Sequence, residues 1–235
     1  MYFDWTYLIL VMPAVIFSMW ASNKVNSTYN KYQHQHSLRG ITGAQAARYV
    51  LDANGLHNVR IEHISGNLTD HFDPRDNVVR LSDGVYGNTS TAAIGIACHE
   101  VGHAIQHATN YAPVKIRTAI VPITNIGSKL AMPLIMLGIF FGAVSSVFIY
   151  AAYLGIACFA LSTVFQLVTL PTEFNASNRA VRAIEANHLL SDSEMKGTKK
   201  VLTAAALTYV AALAVSFMQL LRLIILVSGN NRRRD

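Results

Sequence analysis

The sequence predicts an α+β membrane protein, mostly helical, with about four transmembrane helices and one small polar domain. Two observations support this fold class. Only 14% of the 235 residues are charged and 52% are hydrophobic, whereas a soluble domain carries roughly 25% charged residues. The deficit is concentrated in long apolar runs, and residues 130–170 contain no charged side chain.

The net charge of +6 comes from basic residues that flank the apolar segments. They form no basic patch interleaved with aromatic residues, so we predict a lipid bilayer as partner and exclude nucleic acid. The two cysteines, Cys98 and Cys158, lie in predicted helices and imply no disulfide framework. We interpret Cys98 as a small buried hydrophobic residue.

The first element is an apolar run between Trp5 and Trp20, and it predicts an uncleaved transmembrane helix with tryptophan at both interfaces. The alternative is a cleaved signal peptide. That alternative requires a basic start and small residues at the cleavage site, whereas this run starts with Asp4 and ends with Met19 and Trp20.

A polar domain follows. Thr42 is expected to cap a helix that Gly55 ends. Residues 59–64 and 78–81 have strand composition and are separated by a turn region, so we expect an antiparallel pair. Asn88 or Ser90 is expected to cap the next helix, which runs to about residue 109.

This helix carries the motif His99-Glu100-Val101-Gly102-His103. Histidines four residues apart lie one turn apart and can hold one metal ion, and Glu100 can reach a water on that ion without being a ligand. The pattern is H-E-x-x-H and predicts zinc-assisted hydrolysis with Glu100 as the catalytic residue. The alternative is a buried helix whose histidines form hydrogen bonds in the core, at a cost of several kcal/mol unless a metal compensates.

The order helix, strand, strand, metal helix is a compact form of the zincin layout, in which a sheet edge lies over the metal helix. Such an edge holds an extended peptide by strand addition. The predicted substrate edge is formed by Val78, Val79, Arg80 and Leu81.

The charge-free run of residues 130–170 predicts two spans, because one helix of that length would be roughly twice as long as a bilayer core is thick. We expect the reversal near residues 142–150, with Lys129 snorkelling at the entry.

A polar helix is then expected to begin at Thr172, and Ser191 with Glu194 forms a capping box for the last helix. This helix is apolar from Val201 onward, is interrupted by Arg222 and ends in Arg232-Arg233-Arg234. It is either a fourth span or a long interfacial helix. The predicted division is therefore transmembrane helix 1 (1–23), a zincin-like catalytic domain (24–118), a transmembrane hairpin (119–170), a polar helix with the third ligand (171–200), and transmembrane helix 4 with a basic C-terminus (201–235).

A zinc hydrolase needs a third protein ligand and one open position. The residue six positions after His103 is Thr109, and His107 lies two turns from His99, so neither completes the set. A downstream glutamate remains, and Glu173 is the natural choice because it opens a predicted helix directly after a span. The two-span hairpin also returns it to the side of the membrane where His99 lies, as a shared ion requires. Glu185 and Glu194 are the alternatives, and Asn175 and Ser177 lie close enough in sequence to orient the ligands.

Several longer stretches together resemble the YugP-type membrane zinc metallopeptidases of bacteria. They are residues 41–44, 51–56, 68–75, 79–82, 98–106, 170–177 and 201–212, and they span nearly the whole chain in order. The resemblance implies a neutral zinc peptidase with a glutamate as third ligand, which matches Glu173. The family segment reads Glu-Phe-Asp-Ala-Ser, and Asn175 stands where the family has the aspartate.

The expected function is that of a gluzincin-like zinc metalloendopeptidase that hydrolyses peptide bonds of membrane-associated proteins or peptides. Glu100 accepts a proton from the attacking water and delivers it to the leaving amine. Arg179, His188 and Tyr86 are alternative donors to the developing oxyanion.

Two other classes of protein fit the sequence less well. The first is a non-catalytic membrane protein with a structural metal site, but such a site is normally closed by four ligands rich in cysteine. The second is a transporter, but no predicted span contains a paired carboxylate.

We expect an integral protein of a bacterial plasma membrane with its active site on the cytoplasmic side. The basic residues near the ends of spans on the side of the metal site are Lys24, Lys115, Arg117, Arg179, Arg182, Lys196, Lys199 and Lys200. The terminal arginine cluster favours the opposite orientation.

Overall fold

The computed structural model describes residues 5–232. In chain order the helices are α1 (Met12–Tyr32, preceded by the π-helical segment Tyr7–Val11), α2 (Gly43–Ala53), α3 (Asp83–Tyr86), α4 (Thr91–Ala108), α5 (Ala112–Phe141), α6 (Ser146–Ala186) and α7 (Asp192–Arg232). The strands are β1 (Arg60–His63), β2 (His71–Asp73) and β3 (Val78–Leu81). The predicted class, α+β and mostly helical, is confirmed.

Within residues 5–232, four helices are long and apolar enough to cross a membrane: Tyr7–Tyr32, Ala112–Phe141, Ser146–Ala186 and Asp192–Gly229. The predicted reversal in the charge-free run lies between Phe141 and Ser146. α7 continues through Arg222, whose guanidinium lies 5.3 Å from the ring centroid of Tyr7. The side chains of the predicted C-terminal arginine cluster, 232–234, lie outside the described residues.

The chain divides into two compact units. One comprises the chain up to Trp20, Lys115–Leu170 and the chain from Tyr209 onward, and the other comprises Ala21–Val114 and Pro171–Thr208. We call them the apolar unit and the polar unit.

Small residues bring the helices of the apolar unit together. A Cβ atom placed on Gly155 of α6 would lie 2.7 Å from the carbonyl oxygen of Ala131 on α5. The hydroxyl groups of Thr163 on α6 and Ser216 on α7 lie 2.8 Å apart. Close backbone approach and hydroxyl hydrogen bonds are typical of helix packing in membranes.

The polar unit contains one mixed sheet of the described strands, in the order β1-β3-β2. β1 pairs with β3 in parallel, and β2 pairs with β3 in an antiparallel direction. The predicted antiparallel pairing of residues 59–64 with 78–81 is therefore wrong. The region between them is a crossover that contains the short strand β2, and a crossover is what a parallel pair requires.

The predicted substrate edge is also wrong. β3 is the central strand, and Val78, Val79 and Leu81 are fully buried. The side chain of Arg80 forms ion pairs with Asp73 at 2.8 Å and with Asp76 at 2.6 Å, so it stabilises the sheet. Both edges of the described sheet are other strands, β1 on one side of β3 and β2 on the other.

α4 is buried in the core of the polar unit, where its apolar residues pack with those of α2 and the sheet. Its N-terminus is capped by Ser90, whose Oγ accepts a hydrogen bond from the Ala93 amide at 3.2 Å. α2 begins with a complete capping box formed by Thr42 and Gln45. The surrounding core includes Val50, Leu51, Ile94, Ala97 and Val101.

The predicted start of a separate helix at Thr172 is wrong, because α6 is continuous from Ser146 to Ala186 and passes through Pro171. Proline lacks an amide hydrogen and usually marks a helix boundary, but transmembrane helices tolerate it. Glu173 consequently lies in the interior of a long helix, where it is 3% exposed.

Candidate metal centre

His99 and His103 project from one face of α4, and their ring centroids lie 4.8 Å apart. Glu173 on α6 brings its Oε2 to 3.3 Å from Nε2 of His99 and 3.4 Å from Nε2 of His103. The ligand atoms of the three residues lie within 4.8 Å of one another. The structure thus brings together the three residues that the sequence predicts as ligands, from two helices that are far apart in sequence.

The chemistry and spacing of these donors fit zinc. Zinc bonds of about 2.0–2.2 Å in a tetrahedron place neighbouring ligand atoms roughly 3.3–3.5 Å apart. The two distances from Glu173 Oε2 to the imidazole nitrogens fall in this range. Two imidazoles and one carboxylate are also the ligand set of a zinc hydrolase that keeps one position open.

His103 and Glu173 interact electrostatically in the buried cluster. Burial of the His103 ring disfavours its cationic form, but the hydrogen bond to Glu173 and the charges of Glu100 and Glu173 outweigh burial and raise the pKa of His103. A buried carboxylate without a partner would cost several kcal/mol. A divalent cation at this point can take the place of the His103 proton and neutralise the buried Glu173 carboxylate.

The second nitrogen of His99 is held by α6. Its Nδ1 lies 3.0 Å from the hydroxyl oxygen of Ser177, which follows Glu173 by one helical turn. This contact directs Nε2 of His99 toward Glu173. Ser177, which the sequence predicts to orient a ligand, lies where it can do so.

The second nitrogen of His103 is held by a chain of hydrogen bonds that begins at Arg179. The Arg179 guanidinium can only donate, so the Asn175 atom 2.7 Å away is the amide oxygen. That oxygen also accepts from Nε2 of Gln106 at 3.0 Å, which leaves Oε1 of Gln106 facing Nδ1 of His103 at 3.0 Å. Nδ1 of His103 therefore donates, and Nε2 keeps the lone pair that a metal requires.

Gln106 is fully buried and also donates to the carbonyl oxygen of Thr172 at 2.7 Å. Gln106 is not among the residues that the sequence predicts for the site. A signal was present, because Gln106 follows His103 by three residues and so shares its face of α4. A polar residue at that position in an apolar helix needs partners, and the partners come from α6.

Replacing Gln106 by Leu should lower zinc affinity by about 10–100-fold, because His103 loses the acceptor that fixes its tautomer. A competitive titration with a zinc-binding dye measures this. The matched control is Gln45→Leu, which removes a glutamine from the exposed capping box of α2 and should leave zinc affinity unchanged. Equal affinities for wild type and Gln106→Leu would contradict the role of this hydrogen bond.

Glu100 is not part of the ligand cluster. Its Oε2 accepts a hydrogen bond from the backbone amide of Phe72 at 3.0 Å. Phe72 is the middle residue of β2 and lies opposite Val79 of β3. The edge strand β2 thus lies directly against the glutamate of the motif.

The three predicted oxyanion donors have other contacts. Nε of Arg179 donates to Asn175, and its guanidinium lies 5.8 Å from the ring centroid of Tyr111. The ring of Tyr86 packs edge-on against His63 at 5.4 Å. At His188 the contact is made by the backbone, whose carbonyl oxygen accepts from Arg39 at 2.7 Å, and it does not engage the imidazole.

The alternative third ligands are also engaged elsewhere. Glu185 forms an ion pair with Lys199 at 2.7 Å, and Glu194 accepts from the amides of Ser191 at 2.7 Å and Leu38 at 2.6 Å. Glu194 is therefore the cap of α7, as the sequence predicts. Cys98 is fully buried, which raises the pKa of its thiol to about 12 and makes it a poor metal ligand.

Gly102, between the two histidines, allows α4 and α6 to approach each other. A Cβ atom at this position would lie 2.5 Å from the carbonyl oxygen of Ala176. We expect Gly102→Ala to destabilise the protein by about 1–3 kcal/mol and to weaken zinc binding, because α6 carries Glu173. Thermal unfolding in detergent measures the first effect, with Gly87→Ala as control because a Cβ atom there meets nothing within 4 Å. Equal losses in both variants would refute the steric explanation.

The fold and the site together define a class of protein. It is an integral membrane protein in which an H-E-x-x-H helix and a glutamate on a second long helix form a candidate zinc centre. Comparison with known proteins agrees, since residues 7–228 match the family described as "Putative neutral zinc metallopeptidase". The chain belongs to this family, and its resemblance to the YugP-type metallopeptidases is confirmed.

A similar protein is the "Putative membrane protease YugP" of Bacillus subtilis (strain 168). The two are 44% identical over 220 residues, which cover 94% of this chain and 96% of that protein. No solved structure matches this chain.

Proposed function

We propose that this protein is a zinc-dependent metalloendopeptidase of the gluzincin type, which hydrolyses peptide bonds of membrane-associated proteins or peptides. The observation that carries the proposal is the convergence of His99, His103 and Glu173 around one point, with Glu100 adjacent but outside the ligand set. Membership of a zinc metallopeptidase family supports the same activity.

His99, His103 and Glu173 would hold the zinc ion. The chemistry that zinc supplies at such a centre is polarisation of the scissile carbonyl and a lowered pKa, close to about 7, of the water that attacks it. Glu100 is the general base: its carboxylate takes a proton from the attacking water and then transfers it to the amine that leaves. The hydrogen bond from the Phe72 amide keeps this carboxylate oriented before substrate arrives.

The proposed substrate edge is β2. The amide of Phe72 points away from β3, because it donates to Glu100 and not to the neighbouring strand. An extended peptide beside β2 would run next to Glu100 and the metal ligands, and it would take the Phe72 amide as a donor by displacing the Glu100 carboxylate from it. In strand addition, hydrogen bonds to the peptide backbone provide affinity, and contacts with the peptide's side chains provide specificity.

A cytoplasmic active site is part of the proposal. Lysines and arginines adjoin the spans on the side of the metal centre, and such residues are enriched in cytoplasmic segments. Fusion of a cytoplasmic and a periplasmic-type reporter after residue 110 tests this orientation. Activity of only the reporter that works outside the cytoplasm would overturn it.

Zinc removal tests the activity. Purified protein in detergent or proteoliposomes is expected to cleave an unstructured reporter protein, to lose cleavage after treatment with a chelator, and to regain it when stoichiometric zinc is added. Mass spectrometry of the products should show new N-termini that are absent without zinc. Cleavage that persists in the fully chelated protein would refute the proposal.

A further inference from the structure

A pocket of about 550 Å³ in the polar unit lies apart from the metal centre, and it is strongly basic. It is formed where α1 faces α7, and four lysines line it: Lys24 and Lys31 from α1, and Lys199 and Lys200 from α7. This volume falls within the range of small-ligand sites, about 300–1,000 Å³. All four lysines are exposed to solvent.

On each helix, the pocket-lining residues recur at helical spacing and so lie on one face. Lys24 and Lys31 are seven residues apart and lie on one face of α1, with Ser27 and Thr28 between them. On α7, Thr203 and Leu207 follow Lys200 by three and seven residues, so the three residues lie on one face of this helix. Two helix faces therefore direct positive charge into one concave space.

The pocket carries an excess of positive charge. Lys199 is paired with Glu185 at 2.7 Å. In the described part of the chain, the structure places no carboxylate within ion-pairing distance of Lys24, Lys31 or Lys200. Like charges held close together repel one another, and a bound anion relieves this repulsion.

The two helices are in contact beside the pocket. A Cβ atom on Gly197 would lie 2.7 Å from the ring of Tyr32, so α7 and α1 are in close contact there. Tyr29 and Val201 add a buried apolar contact between the same helices. Packing between α1 and α7 therefore forms the pocket in the absence of a ligand.

The pocket also adjoins the membrane-spanning parts of both helices. Lys24 follows the end of the apolar run at Trp20 by one helical turn, and Lys200 directly precedes the apolar part of α7. The lining changes along α7 from lysine to Thr203 and then to Ala204 and Leu207. A phospholipid would place its phosphate among the lysines and its acyl chains beside Ala204 and Leu207, whereas free phosphate would leave these apolar side chains uncovered.

We propose that this pocket binds the phosphodiester head group of an anionic phospholipid at the membrane surface. Basic pockets between transmembrane helices are a known way of recognising such head groups. This site is independent of the proposed peptidase activity, since none of its lining residues belongs to the metal centre.

Native mass spectrometry of the full chain in neutral detergent tests the proposal with phosphatidylglycerol, phosphatidylcholine and inorganic phosphate as probes. Wild type should bind phosphatidylglycerol more tightly than the other two. The double variant Lys24→Gln, Lys200→Gln removes the electrostatic attraction of two lysines for the anionic head group. Its affinity for phosphatidylglycerol should fall by about 30-fold. The charge-preserving variant Lys24→Arg, Lys200→Arg should retain binding and excludes a folding defect.

The matched control is Arg75→Gln, Lys115→Gln, which removes the same charge from two exposed basic residues outside the pocket. It should change affinity by less than about twofold, because screening by salt limits the influence of distant exposed charges. Equal losses in the pocket and control variants would show a general surface effect and overturn the site. Binding of inorganic phosphate or phosphatidylcholine as tight as that of phosphatidylglycerol would overturn the lipid assignment.

Discussion

Replacing Glu100 by Gln should lower the rate of peptide hydrolysis by about 10²–10⁴-fold, the usual contribution of a general base. The amide has the same shape but cannot accept the proton of the attacking water. Zinc should remain bound at wild-type stoichiometry, because Glu100 lies outside the ligand cluster. Turnover of a peptide reporter and metal analysis of the same sample measure the two quantities together.

The combination of the two readouts is decisive for the role of Glu100. A structural metal site would lose neither zinc nor function in this variant. Glu185→Gln is the matched control, because it changes a glutamate on α6 that pairs with Lys199 at the surface. Full activity of Glu100→Gln would contradict the proposed mechanism, and simultaneous loss of zinc would show that Glu100 is a ligand.

Replacing Glu173 by Ala should remove zinc and abolish hydrolysis. We expect zinc affinity to fall by more than about 100-fold, which exceeds the loss typical of residues that only orient a ligand. The variant also leaves two imidazoles on α4 without the carboxylate that faces both of them. Zinc content after dialysis against a weak chelator measures the effect.

The effect of Glu173→Ala is separable from unfolding. The substitution truncates a buried side chain without adding volume, so the helical content measured by circular dichroism should be retained. Glu185→Ala, three turns further along α6, is the control and should keep one zinc per chain. Zinc retained by Glu173→Ala would assign the third ligand to another residue.

The three candidate ligands could be predicted from the sequence, and the structure brings them together. His99 and His103 follow from the spacing of the motif. Glu173 follows from its place directly after a span, and the requirement for an even number of spans after His99 is consistent with it. The hairpin that satisfies this requirement is formed by α5 and α6. Family resemblance points to the same glutamate.

The errors have local physical causes. β2 has only three residues, His71–Asp73, too few for a strand to be recognised from alternation, and its omission gave the wrong pairing and the wrong edge. Pro171 and the change from apolar to polar sequence predicted a helix end that the continuous α6 does not have. In both cases tertiary packing outweighed the local signal.

The hydrogen bonds that orient the ligands were only partly predictable. Asn175 and Ser177 were expected near the site because they follow Glu173 closely. The contact of Gln106 with Asn175 joins residues 69 positions apart, and such pairings depend on how α4 and α6 pack at Gly102. The neutral Asn175 accepts both hydrogen bonds that an aspartate at this position would accept.

The most direct test of the central claim is the coordination of zinc in the purified full-length protein, measured by X-ray absorption at the zinc edge. We predict one zinc per chain with two imidazole nitrogens, one carboxylate and one exchangeable oxygen from solvent, and we predict that the carboxylate signal disappears in Glu173→Ala. A spectrum with sulfur, or with four protein ligands and no exchangeable position, would contradict the account.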